Sequence, residues 1–113
     1  MNIESTLFYL LLSAGGIFTF TAMLLYIFPP KKINYLYGYR TAAAMKSKER
    51  WRFAQRFSAI TMLQSGLALA AVSAIGLFYS FSETGDTVLG FFLIAVAAVF
   101  MFARTEQAIK KLP

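Results

Sequence analysis

The segment INYLYGYRTAAAMK, residues 33–46, holds most of what this chain could use for recognition chemistry. Three tyrosines, a glycine and an arginine fall within six residues, Tyr35 to Arg40. Tyr35, Tyr37 and Tyr39 each join an apolar ring to a polar tip, a combination that favours the headgroup layer of a membrane. Gly38 supplies a backbone position able to turn tightly. Arg40 carries a planar fork that meets a phosphate or a carboxylate at two points. Elsewhere the chain is chemically sparse. It has no histidine and no cysteine, which removes the commonest general base, the commonest metal ligand and all thiolate chemistry. Glu49, Glu83, Asp86 and Glu106 are scattered. No set of residues supplies a nucleophile with a base, or a metal site, so neither enzymatic activity nor a cofactor is expected. The segment reads either as an interfacial anchor or as a binding surface for a lipid head group, a peptide or a protein partner.

The surroundings of that segment follow from composition. A chain of 113 residues allows one domain. Its residues are 58% hydrophobic and 14% charged, against roughly 45–50% and about 25% in soluble domains. Mean hydropathy is +0.61. A soluble protein of this size could not bury so much apolar surface. The class is an all-α membrane protein, and three stretches read as transmembrane helices. Residues 7–28 run without a charge, long enough to cross the ~30 Å hydrocarbon layer. Pro29 and Pro30 end that run. With no basic n-region before it and no A-x-A-like site after it, the first span is expected to be retained. The second span covers residues 57–79 and the third, shorter one 88–103, leaving a loop of 31–56 between the first two.

Lysine and arginine are distributed very unevenly over these segments. None precedes the first span, eight lie in the loop, none separates the second and third spans, and three follow the third. The positive-inside rule then predicts an outside N-terminus, with the loop and the C-terminus cytoplasmic. The loop's basic charge is explained by topology and anionic lipid, so no direct nucleic-acid contact is expected.

Ser47 can cap a helix, with Glu49 in its first turn. No proline or glycine interrupts residues 42–65. One helix is therefore expected from about Lys48 to Tyr79, the second span extended into the cytoplasm with Trp51 at the interface. Ser13, Gly15, Gly16 and Thr19 in the first span, Gly66, Ala70 and Ala74 in the second, and Gly90, Ala97 and Ala98 in the third suit close helix packing. Gln64, the most polar side chain of the second span, is expected to bond another helix, a backbone carbonyl or water. Glu49 is the acidic residue of the loop available to Arg40, and Glu106 with Lys110 reads as a helix-surface pair.

The string YGYRT-x3-MKS-x3-WRFAQRFS, Tyr37 to Ser58, resembles the signature of the SdpI-type immunity protein family. The matching positions are Gly38, Tyr39, Arg40, Thr41, Met45, Lys46, Trp51 and Ala54. Ala44 stands where that family often has a serine, and Ser47 where it often has an asparagine. The resemblance implies a multi-pass protein of the bacterial cytoplasmic membrane, related to one that protects a toxin producer from its own secreted peptide and signals by holding a repressor at the membrane. The candidate residues for contact with a partner or a lipid headgroup are Tyr35, Tyr37, Gly38, Tyr39, Arg40, Thr41, Lys46 and Trp51. The partners in view are membrane lipids, a toxin peptide, a cytoplasmic regulator or a larger membrane complex. No small-molecule substrate is evident. The alternative is a small accessory or structural subunit of such a complex. A transporter is argued against by spans that contain no Asp, Glu, Lys or Arg between their ends.

Overall fold

The computed structural model describes residues 5–34, 37–79 and 82–112. The first helix, α1, spans Thr6–Ile27, and Ser5 caps it by accepting the Phe8 N–H at 3.2 Å. Asp86, distant in sequence, accepts the Leu7 N–H at 3.3 Å. A carboxylate at the start of a helix meets both unbonded N–H groups and the positive end of the dipole. The chain leaves α1 at Phe28 and the two prolines, then passes through a short 3-10 turn at Ala44–Lys46.

The second helix, α2, begins at Lys48 and runs to Ser73, with Ser47 accepting the Arg50 N–H at 3.1 Å. Ser47 is therefore a working cap. The expected run to Tyr79 is interrupted once, at Ala74, after which α3 covers Ile75–Phe78. Ala74 N–H bonds the Ala71 carbonyl and Leu77 N–H bonds the Ala74 carbonyl. These three-residue bonds tighten the turn locally.

The last helix, α4, spans Glu83–Ile109 and extends past both ends of the 88–103 window. Ser82 caps it through the Gly85 N–H at 3.0 Å, and Glu83 and Asp86 lie in its first turn. Hydropathy alone misses these polar turns. They stay helical because the cap and dipole favour one end and burial of Thr105 and Ile109 holds the other.

Helix α1 packs chiefly on α2, and α4 touches both. Small residues set the spacing. A Cβ built on Gly15 would lie 2.7 Å from the Gly66 carbonyl oxygen and 2.8 Å from the Ala70 nitrogen. Gly16, its neighbour, faces open space. Hydroxyl side chains point inward and bond back to their own helix: Thr61 to the Phe57 carbonyl at 3.0 Å, and Thr105 to the Met101 carbonyl at 2.8 Å. Large apolar side chains such as Phe20, Phe91, Phe92 and Val99 point outward. That inverted pattern suits lipid, where association depends on close packing and not on hiding oil from water. Among the described residues, three helical stretches are long and apolar enough to cross a membrane: α1, Lys48–Phe78 and α4. No strand occurs among the described residues.

Candidate functional site

The organising side chain of the loop is Gln55, one turn beyond Trp51 on α2 and 1% exposed. Its Oε1 accepts the Tyr39 N–H at 2.7 Å, and its Nε2 donates to the Tyr39 carbonyl at 2.8 Å. The amide thus pairs with one loop residue as a neighbouring strand would, satisfying both of its main-chain groups. Gly38 makes this possible. Its φ of +101° lies in the left-handed region, and a Cβ there would run into Gln55 Oε1 and Pro30 Cγ. Only glycine fits both the torsion and the space.

Two further anchors fix the loop. Trp51, 1% exposed, donates its Nε1–H to the Pro30 carbonyl at 2.8 Å. The Tyr37 hydroxyl donates toward the Phe28 carbonyl at 3.0 Å and that of Leu24 at 3.2 Å, at the end of α1, where Leu24 also accepts the Phe28 N–H. On the other side Thr41 Oγ1 donates to Glu106 Oε2 on α4 at 3.1 Å and accepts the Ala44 N–H at 3.3 Å. Arg50 Nη2 donates to the Leu112 carbonyl at 3.1 Å. The loop is therefore tied to α1, α2 and the end of α4.

Tyr39 sits at the centre. Its ring packs with Ala44, Ala54 and Ile109 and lies 5.5 Å from the Phe102 ring centroid. Its hydroxyl is buried and, among the described residues, has no partner within bonding geometry. Burial pushes this phenol well above the ordinary tyrosine range, and the negative charge of Glu106 adds to the rise.

Gly38, Arg40 and Thr41 border a cavity of about 600 Å³ between the loop and the helices. Tyr37 and Tyr39 also line it, and Leu25, Met62, Met101 and Phe102 give it an apolar floor. Arg40 is exposed at its margin. The expected Arg40–Glu49 pairing does not form. Both side chains are exposed and no ion pair joins them. Glu49 points outward from the first turn of α2, whereas the carboxylate that reaches the motif is Glu106. Glu106 accordingly bonds Thr41 and is more than the surface partner of Lys110.

The remaining sequence-derived positions separate. Tyr35 lies outside the described residues. Lys46 is exposed at the end of the 3-10 turn and does not line the cavity, and Trp51 acts through Pro30 as a strut. Gln64 is exposed and, among the described residues, bonds no other helix. It borders an apolar cleft between α2 and α4. Its position on the helix turns it outward, and the buried amide is Gln55 instead. Sequence reasoning missed Gln55 and the role of Glu106. Gln55 had one available signal: it adjoins the Trp51–Ala54–Ser58 face, so its amide faces the packed side. Among the described residues no group of three or more Asp or Glu side chains gathers to hold a metal ion.

A model of the SdpI/YfhL protein family matches residues 31–104. The uncharacterized protein YfhL of Bacillus subtilis (strain 168) is 35% identical over 99 residues, covering 88% of this chain and 84% of that protein. No solved structure matches at a significant level.

Proposed function

The chain belongs to the SdpI/YfhL protein family, and from that premise we propose that it is a non-catalytic immunity or signalling protein. It recognises a peptide or protein partner at the membrane through the cavity bordered by its Gly38–Thr41 loop. One observation carries this reading: the motif divides its labour. Gly38, the Tyr39 main chain, Thr41 and Trp51 are consumed in building the loop. Arg40 is left exposed beside an apolar-floored cavity. A rigid frame that holds a cationic fork next to apolar walls is suited to an amphipathic partner carrying a carboxylate.

The test is survival of toxin-sensitive bacteria that express the chain and are challenged with a secreted membrane-active peptide toxin of a related producer. Expression raises survival, and Arg40→Ala and Arg40→Lys both abolish the gain at unchanged membrane levels. Lysine keeps the charge but loses the two-point geometry. Protection by Arg40→Lys equal to that of the parent would refute recognition through the fork.

A second reading, an accessory subunit of a larger membrane complex, has Gln64 in its favour. An amide exposed on an apolar helix face beside a cleft is a position where a partner helix would supply a hydrogen bond.

A further inference from the structure

A second cavity, of about 560 Å³, lies where α1 ends and α2 passes it. Lys31, Arg52 and Arg56 line it, and among the described residues no Asp or Glu does. None of the three cations is in an ion pair among the described residues. Two other polar groups of its wall are already committed. The Gln55 amide is bonded to Tyr39 and the Pro30 carbonyl to Trp51. Pro29 and Pro30 have no N–H to offer. Three positive charges with spare donors thus share one concavity, and their mutual repulsion is relieved by an anion.

A neighbouring apolar groove shows what kind of anion. Tyr26 borders both the basic cavity and a groove of about 390 Å³ lined by Met23, Ile27, Ala59, Ile60 and Leu63. Along α1 these contacts step back from Tyr26 to Ala22, and along α2 they step forward from Arg56 to Leu63. Basic cavity and apolar groove therefore follow one another along the α1–α2 seam, from the polar end of the bundle into its apolar length. Arg56 lies over the Tyr26 ring, 5.8 Å from its centroid, at the junction. The carbonyl end of α1 would oppose an anion nearby, but the Tyr37 hydroxyl already bonds two of those carbonyls.

We propose that the Lys31–Arg52–Arg56 cavity binds the phosphate of an anionic lipid headgroup, with an acyl chain in the adjoining groove. The arrangement matches an amphiphile: guanidinium forks for phosphate oxygens at one end and an apolar groove at the other. Free phosphate shares the head chemistry but leaves the groove unused.

Trp51 is the only tryptophan in the chain, and its bond to Pro30 places it beside the cavity wall. Its emission reports occupancy of the purified protein in a neutral maltoside micelle. Titration with dioleoyl phosphatidylglycerol gives a saturable shift, roughly tenfold more sensitive than with dioleoyl phosphatidylcholine. Inorganic phosphate and glycerol 3-phosphate at matched concentration give little. Arg52→Gln with Arg56→Gln weakens the response roughly tenfold, and Lys31→Gln, outside any helix, weakens it less. Lys110→Gln with Lys111→Gln removes the same charge from exposed positions and changes nothing. A phosphatidylglycerol response absent or no stronger than that of phosphatidylcholine overturns the site. So does equal loss in the Lys110/Lys111 pair, which would make the effect one of general surface charge. Inorganic phosphate as effective as the lipid would reassign the cavity to a soluble phosphate ligand and overturn the lipid assignment.

Discussion

At the scale of the residue, two glutamines only nine positions apart do opposite things. Gln55 is buried and satisfies both main-chain groups of Tyr39. Replacing it with leucine strands a buried N–H and a buried carbonyl, at a cost of about 2–4 kcal/mol. Thermal unfolding in detergent should show Gln55→Leu sharply destabilised and Gln64→Leu unchanged or slightly more stable, because Gln64 is exposed on an apolar face. Equal effects at both positions would contradict the geometry. Tyr39 gives a pH signature. Its pKa in the folded state is raised above the unfolded value of about 10. The folded state then holds the phenolic proton more tightly than the unfolded one. This leaves stability untouched below about pH 10 and lowers it as pH rises further. Alkaline unfolding followed by circular dichroism should show that fall, and Tyr39→Phe should blunt it.

At the scale of the element, the α1–α2 contact depends on small residues whose spacing was readable and whose facing was not. Gly15 and Gly16 are adjacent, and only Gly15 meets the opposing backbone. Gly15→Val should force the helices apart and cost about 1–3 kcal/mol as overpacking. Gly16→Val, toward open space, should leave the unfolding temperature nearly unchanged. The three apolar runs, the Pro29–Pro30 stop and the Ser47 cap were legible because each depends on residues close in sequence. The full reach of α4 was not, since its polar end turns are held by contacts made far away, Asp86 on Leu7 and Glu106 on Thr41. The motif segment was legible as a place, from its density of tyrosine and glycine beside Arg40. Its internal wiring was hidden, because the Gln55–Tyr39 pairing spans 16 residues and no local pattern announces it.

At the scale of the whole molecule, the contacts sort charge to one end. The loop holding eight of the eleven cations meets the C-terminal segment holding the other three, through Thr41 with Glu106 and Arg50 with Leu112. At the far end Asp86 meets the start of α1, where no Lys or Arg lies. Both loops are short enough for the positive-inside rule to apply, so we predict that the cationic end faces the cytoplasm. The chain has no cysteine, which allows single introduced thiols to be read without background. Ser47 and Ser82 are helix caps and would be poor choices, whereas Lys48 and Thr84 are exposed. In intact cells Thr84→Cys should react with a membrane-impermeant maleimide. Lys48→Cys should react only after lysis. The reverse pattern would place the Arg40 cavity and the Lys31–Arg52–Arg56 cavity on the outer face, where a cytoplasmic regulator could reach neither.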